Sequence, residues 1–209
     1  MQKKLTAVLD FGSSKLYLCL GRRGVNNTFA IRCLTETKYD GFADGEFLEP
    51  EKLYDAVSSA IESGEISGKN KIQSLYVGVP AEFCMVECKN ITKHFAGKTK
   101  LTDEIIEEIS GDAVNREYLK EKTLISCKPN YVKLDDDRKV MCYSGEKTTK
   151  ITAEICSVYV ENYFIKTVNS ILAKIGVESV VYICASEAEA QYLLTQEERT
   201  RENQEYLCL

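Results

Sequence analysis

The segment Asp10-Phe11-Gly12-Ser13-Ser14-Lys15 decides how the rest of the chain is interpreted, because it joins two short apolar runs at residues 5–9 and 16–20. Backbone N–H groups after Gly12, together with the two serine hydroxyls, are suited to binding phosphate oxygens. Gly12 is expected to adopt a positive φ, and Asp10 is suited to holding Mg²⁺ through water. The same residue types are ordinary in a tight hairpin turn, so both interpretations stay open from this segment alone. It matches neither a Walker loop nor a dinucleotide-binding fingerprint.

Outward from this segment, the sequence predicts a mixed α/β unit. Apolar runs and the turn at 24–27 predict three antiparallel strands, at 5–9, 16–20 and 28–34. A Gly-rich link at 40–45 leads to a helix at 51–63, which we expect to end at Gly64 and Gly68. A buried strand at 73–80 follows and is closed by Pro80.

The middle of the chain predicts a smaller unit, in which a strand and a helix are followed by further strands. Its elements are a strand at 84–91, a helix at 102–115 with Thr102 as N-cap, and strands at 123–128, 131–134 and 151–159. The chain then returns to α/β, with a helix at 162–174 stopped by Gly176 and a strand at 178–184. Ser186 and Glu189 predict a capping box for a last helix. We expect a charged loop at 197–205 and the start of a strand at 206–209.

Composition indicates a globular protein and excludes some partners. The chain has 209 residues, of which 44% are hydrophobic and 28% charged, and its net charge is −5. A mildly acidic chain without a basic run is not expected to bind nucleic acid. Asp10 interrupts the first apolar run before a signal peptide forms, and no segment approaches the roughly 20 apolar residues of a membrane span. We therefore expect a cytoplasmic protein with no membrane segment in this chain.

The cysteines and the histidine predict no metal site. The chain has nine cysteines, an odd number, with no Cys-x-x-Cys pair, and most lie in apolar runs. Reduced thiols buried in the core are the expected state, because free cysteine behaves as a small apolar residue. The single histidine, His94, has no matching cysteine pair and is expected at the surface or at a strand end.

Context gives the opening segment a resemblance to a known family. With three antiparallel strands around it, Asp10–Lys15 resembles the first phosphate loop of the actin, sugar-kinase and heat-shock-chaperone ATPase superfamily. The approach of Gly41-Phe42 and Gly45 to the first helix, and the strand-helix-strand-strand insert, resemble the FtsA-like bacterial cell-division proteins. The run from Ala185-Ser186 to Leu194-Thr195-Gln196-Glu197-Glu198 is similar to the closing run of that family. The resemblance covers nearly the whole chain.

This resemblance implies an α/β fold. Residues 1–81 and 159–209 would form an actin-like (ribonuclease H-like) subdomain with a mixed sheet, interrupted by a small α+β insert at 82–158. It implies ATP with Mg²⁺ as the cofactor, contacted by Asp10, Gly12, Ser13, Ser14 and Lys15, with no catalytic residue and no metal ligand other than Asp10 through water. The family continues into a second phosphate loop, an adenosine-binding lobe, an FtsZ-binding site and an amphipathic membrane helix. Because this sequence ends before them, we expect half of a phosphate site and weak or absent ATP binding.

In function, the resemblance implies a cell-division scaffold that acts through protein–protein contacts, with the insert as its working surface. Its partners would be itself, FtsA-like subunits and other division proteins, with FtsZ only through the missing C-terminal part. It would lie at the cytoplasmic face of the membrane at the division site when attached to a full-length partner. An FtsA-like scaffold for pilus assembly and a phosphotransferase fragment remain alternatives. We expect no enzyme, or at most a weak ATPase once a second lobe is supplied, because no carboxylate has the setting of a catalytic base.

Overall fold

The computed structural model describes residues 5–25, 28–68, 71–195 and 198. It divides into two compact units. Unit 1 takes the described residues up to Cys84 together with Glu161–Ala185, and unit 2 takes Met85–Val160 together with the described residues from Ser186 onward. Unit 1 is therefore discontinuous in sequence, and most of unit 2 is inserted into it.

Along the chain, groups of one or more strands are separated by single α-helices. The strands are β1 (Thr6–Phe11), β2 (Lys15–Arg23), β3 (Phe29–Lys38), β4 (Phe42–Ala43), β5 (Glu46–Phe47), β6 (Ser74–Val79), β7 (Cys84–Lys100), β8 (Lys122–Lys133), β9 (Lys139–Val140), β10 (Lys147–Glu161) and β11 (Ser179–Cys184). The helices are α1 (Pro50–Gly68), α2 (Asp103–Ala113), α3 (Asn162–Ile175) and α4 (Ala185–Leu193), with short 3₁₀ turns at Ala81–Phe83 and Tyr118–Lys120.

Unit 1 is built on a five-stranded mixed sheet with the order β11-β6-β1-β2-β3. Strands β1, β2 and β3 are antiparallel neighbours, as predicted, whereas β6 runs parallel to both β1 and β11. Helices α1 and α3 cover one face of this sheet. That face carries Leu9, Leu18 and Val77, which are fully buried. Burying each large apolar side chain stabilises the fold by about 1.5–3 kcal/mol, so this face holds the core of unit 1.

Unit 2 contains a four-stranded sheet with the order β7-β10-β8-β9. The side chains of one sheet face pack with helix α2 into an apolar core. The core residues are Leu101, Ile106, Ile109, Ala113, Val132, Leu134, Ile151, Ala153 and Ile155. Thr102 occupies the N-cap position of α2, as predicted.

The expectation that all the cysteines are reduced is wrong at one pair. Cys88 on β7 and Cys156 on β10 form a disulfide, with Cα atoms 4.2 Å apart. A second pair on the same two strands, Thr92 and Thr152, shares a hydrogen bond of 2.9 Å between the hydroxyls. Both pairs fit one antiparallel register, in which facing Cα atoms are about 4.5–5.5 Å apart. The register therefore brings together two cysteines that are 68 residues apart in sequence.

Other sequence-based boundaries also need correction. Helix α1 runs through Gly64 to Gly68. Gly64 is needed for a close approach, because a Cβ there would lie 2.1 Å from Leu18 Cδ2. Helix α4 begins at Ala185, so Ser186 lies inside its first turn and is not the N-cap. The two strands predicted at 123–128 and 131–134 form the single strand β8. Pro129 lies within this strand, outside Val132 and Lys133, the two residues of β8 that pair with β9.

Gly176 has a φ of 94° and ends α3, as predicted. The predicted strand at 206–209, most of the predicted loop at 197–205 and part of the turn at 24–27 lie outside the described residues. Among the described residues, none of the helices has the length and apolar character required to cross a membrane.

Candidate functional site

The predicted phosphate loop is a tight hairpin turn between β1 and β2. The two strands pair as far as Phe11 and Leu16, and the N–H of Gly12 donates to the Lys15 carbonyl at 2.9 Å. The side chains of Ser13 and Ser14 are exposed at the tip of the turn. The loop therefore has the geometry of a tight hairpin turn, which is compatible with both interpretations.

The predicted positive φ of Gly12 is wrong, since the positive-φ glycines of the described chain are Gly41, Gly45, Gly145 and Gly176. A glycine is favoured at position 12 because there is little space for a side chain. A Cβ at position 12 would lie 3.0 Å from the Lys15 carbonyl oxygen and 3.3 Å from the Tyr17 ring.

The residues that follow β3 form hydrogen bonds with the loop and pack closely against it. The Tyr39 hydroxyl donates to the Gly12 carbonyl at 2.6 Å, and the Tyr39 N–H donates to the Ser14 carbonyl at 3.1 Å. Gly41 has a φ of 84°, and a Cβ there would lie 2.1 Å from the Ser13 carbonyl oxygen. Three consecutive loop residues thus contact Tyr39 or Gly41, which fixes the conformation of the turn.

The charges around the loop are largely balanced. Lys15 Nζ lies 3.0 Å from both carboxylate oxygens of Glu36 on β3, and this hydrogen bond and charge raise the pKa of Lys15. Asp10 lies beside Gly78 of β6, where a Cβ would come within 2.2 Å of Asp10 Oδ1. Burial, with a smaller contribution from the charge of Asp10, raises the pKa of Tyr39 far above its ordinary value, so its hydroxyl remains a donor. The lysine that would attract a phosphate already forms an exposed ion pair with Glu36.

These residues fit a nucleotide only as one wall of a site. Ser13 and Ser14 would contact a phosphate at the tip, but Lys15 is occupied and Asp10 adds a negative charge. The described residues contain no group of three or more His, Cys, Asp or Glu side chains that could hold a metal ion. The role of Asp10, Gly12, Ser13, Ser14 and Lys15 in binding ATP and Mg²⁺ stays a prediction.

A second feature of unit 1 was missed from the sequence. The segment predicted as a link at 40–45 begins the hairpin β4–β5, in which Asp44 (φ 53°) and Gly45 (φ 75°) form the turn. Two central residues with positive φ define a type I′ turn, and Asp-Gly between apolar residues is its sequence signal. The Gly45 N–H donates to Glu82 Oε1 at 2.8 Å, which ties the tip of the hairpin to the turn after β6.

A cluster of aromatic rings supports this hairpin. Its centre is the fully buried Phe164 of α3. Ring centroids lie 4.8–6.3 Å from that of Phe164 at Phe83, Phe11, Phe47 and Tyr182. Ring pairs at such distances stabilise by about 0.5–1.5 kcal/mol beyond their buried area. The cluster joins the end of β1, the hairpin and the start of α3 into one rigid support.

The hairpin and the start of α3 form the walls of a cleft, which we call the carboxylate cleft. It is open to solvent and has a volume of about 820 Å³. Its lining includes the rings of Phe42 and Tyr163 and the carboxylates of Asp44, Glu46, Glu82 and Glu161. Carboxylates beside aromatic faces favour a cation, and they disfavour a phosphate. From the sequence, only the turn at Asp44-Gly45 beside this cleft could be predicted.

Unit 2 offers a sheet edge as a second surface. Strand β7 is an outer strand of its sheet and is 17 residues long. Two of its lysines contact α2: Lys93 lies 2.6 Å from Glu108, and Lys89 donates to the Ala113 carbonyl at 3.0 Å. Long edges pair readily with another chain, and charged side chains limit that pairing. His94, on the same strand, is exposed, as predicted.

Comparison with known proteins identifies the fold. No protein-family model and no curated protein sequence matches the chain. A chain of the PilM-PilN type IV pilus biogenesis complex superposes with a TM-score of 0.55 and 14% identity, covering 91% of this chain and 49% of that one. The cytoplasmic domain of EpsL, an inner membrane component of the type II secretion system of Vibrio cholerae, gives a TM-score of 0.39 and 8% identity, covering 86% of this chain and 57% of that one.

The chain therefore has the actin-like fold, as predicted: an α/β unit with a mixed five-stranded sheet and a separate antiparallel sheet. It spans about half the length of the solved chains to which it is similar.

Proposed function

We propose that this chain is a non-enzymatic scaffold of the type IV pilus kind and that it holds a segment of a partner protein in the carboxylate cleft. The observation that carries the proposal is the cleft itself, with four carboxylates and two rings on a rigid aromatic support. The fold likeness to a chain of the PilM-PilN complex supports a pilus scaffold over a division scaffold.

The chemistry of the cleft defines the kind of segment. A Lys or Arg side chain would lie over the ring of Phe42 or Tyr163 and form charge-assisted hydrogen bonds with the carboxylates. An apolar neighbour would contact the remaining ring surface. A nucleotide would meet like charge in the same space, so we propose that ATP is not the ligand of this cleft. The loop at Asp10 then supports the sheet and catalyses nothing.

Site-specific photo-crosslinking in cells that carry the gene tests this proposal. A photoreactive amino acid replaces Tyr163 in the cleft, and a second variant carries it at Ile66 on α1, which is 78% exposed. We expect an adduct at position 163 with a component of a pilus-type machine, through a peptide that contains Lys or Arg. Equal labelling at the two positions, or none at 163, would contradict the proposal.

A charge variant makes the test sharper. Glu46 lines the cleft and is exposed, so Glu46→Lys should fold normally yet place a like charge beside the incoming cation. We expect the adduct at position 163 to fall about tenfold, since like charges in contact cost more than a kcal/mol. Glu62→Lys, on the exposed face of α1, makes the same charge change away from the cleft and should leave the adduct unchanged.

A division scaffold of the FtsA type is the second candidate, and the order of the sequence motifs favours it. In this case β7 of unit 2 would contact subunits or division proteins, because it is an open edge among the described strands. The same crosslinking experiment separates the candidates. The second candidate would be supported if a photoreactive residue in place of the exposed His94 of β7 captures a division protein and position 163 gives no adduct.

A further inference from the structure

The face of the unit 1 sheet that is turned away from α1 and α3 carries a continuous apolar row. Strand registers place Val181, Tyr76, Val8, Cys19 and Leu34 side by side across all five strands. Leu34 is 63% exposed, Val181 47% and Tyr76 41%. We call this surface the open face.

Further large side chains widen the row on both sides. Ile31 lies opposite Gly21 in the register, and the Phe29 ring fills the space above Gly21, where a Cβ would lie 2.2 Å from it. Ile31 is 61% exposed and Phe29 45%. Towards the loop at Asp10, Tyr17 and Ile183 extend the surface, and both are more than a third exposed.

The open face is larger than the apolar patches of ordinary monomers. If a large side chain exposes about 200 Å² in full, the exposed fractions correspond to roughly 600–700 Å² of mostly apolar surface. The largest patch of a typical monomer is about 300–600 Å². In addition, β1, β6 and β11 are parallel, and parallel strands are normally covered on both faces. Both features are typical of an interaction surface.

We propose that the open face is a self-association surface on which a second copy of this chain packs, sheet against sheet. Two copies would bury roughly 1,200–1,400 Å² in total, which is within the range of stable interfaces. Two sheets pack face to face about 10 Å apart, and a row of medium-sized apolar side chains fills that distance.

Charge at one end of the open face is compatible with two-fold symmetry. At the end of the open face near the loop, the carboxylates of Asp10 and Glu36 lie among the side chains of Lys15, which pairs with Glu36, and of Lys38, which faces Lys15 in the register. An isologous interface uses the same patch on both copies, and a patch that carries both signs of charge can be self-complementary. The surface lies apart from the carboxylate cleft, so this proposal does not depend on the proposed function.

Sedimentation velocity of the full chain at roughly 100 µM, a concentration that reveals micromolar association, tests the proposal. The key variant is Ile31→Lys on the open face. Its matched control is Ile66→Lys on α1, which replaces an isoleucine that is also largely exposed and lies away from that face. We expect a dimer for the unchanged chain and for Ile66→Lys, and a dimer dissociation constant at least about tenfold higher for Ile31→Lys.

A second measurement on the unchanged chain removes any dependence on how the variant folds. Cys19 lies in the apolar row and Cys142 is exposed in unit 2. We expect alkylation of Cys19 to slow as protein concentration rises, while alkylation of Cys142 stays constant, as quantified by mass spectrometry. A monomer at all concentrations, equal weakening by both lysine substitutions, or a dimer that leaves Cys19 labelling unchanged would each overturn the proposal.

Discussion

Replacing Phe164 by alanine tests how the carboxylate cleft is supported. Phe164 is fully buried, and its ring lies 4.8 Å from that of Phe83, 5.3 Å from Phe11 and 5.7 Å from Phe47. Removing a buried phenylalanine loses its transfer free energy and leaves a cavity, at a cost of about 3–5 kcal/mol. A domain is stable by only about 5–15 kcal/mol, so Phe164→Ala should leave unit 1 marginal.

Hydrogen exchange measured by mass spectrometry shows which of the two units loses stability. Peptides from β1 and β6 report the opening of unit 1, and peptides from β8 and β10 report that of unit 2. We expect Phe164→Ala to lower the free energy of opening of unit 1 by about 3–5 kcal/mol. We also expect the crosslink at Tyr163 to weaken, because the ring cluster holds that side of the cleft.

The control is Tyr192→Ala, which removes an aromatic side chain that is 89% exposed on α4. Its effect should stay within about 0.5 kcal/mol in both units. A loss below about 1 kcal/mol for Phe164→Ala, which is typical of a surface position, would refute the assignment of Phe164 as the centre of the support.

Two further predictions concern the loop and unit 2. Gly41→Ala should destabilise unit 1 by about 1–3 kcal/mol in urea unfolding, because position 41 has a φ of 84° and its Cβ would meet the Ser13 carbonyl. The control is Gly97→Ala, where a Cβ meets nothing within 4 Å. This control should change the free energy of unfolding by less than about 0.5 kcal/mol. The N–H and hydroxyl of Thr149 lower the pKa of Asp135, so this carboxylate stabilises unit 2 above its unfolded pKa and loses that effect as pH falls below about 4. Asp135→Asn should therefore flatten the fall in melting temperature of unit 2 in that acidic range, and an unchanged slope would contradict it.

Local sequence patterns predicted most of the helices and strands of the fold. The spacing of apolar residues at 53, 56, 57, 60 and 61 predicts α1 because it makes one stripe on a helix, and all five residues are buried. The glycine at 176 predicts the end of α3 because a left-handed φ favours glycine. The predicted stop of α1 at Gly64 is wrong, and the helix ends at Gly68. Gly64 is a position of close packing against β2, and this role depends on tertiary contact.

Contacts between distant segments could not be predicted. The disulfide of Cys88 with Cys156 and the ion pair of Lys15 with Glu36 both depend on strand register, which the sequence does not specify at that range. The carboxylate cleft combines a hairpin after β3 with the start of α3, more than 110 residues later in the sequence. Its one local signal, Asp44-Gly45, predicts a turn and gives no indication of a cleft.

The central claim is that unit 1 works through the carboxylate cleft and not through the loop at Asp10. Isothermal titration calorimetry of the intact chain tests it directly with two ligands. One is MgATP, and the other is a synthetic peptide of the partner segment that crosslinks at position 163. We predict micromolar binding of the peptide, lost in Glu46→Lys, and no heat from MgATP at the same concentrations. Micromolar, magnesium-dependent binding of ATP without binding of the peptide would contradict the account.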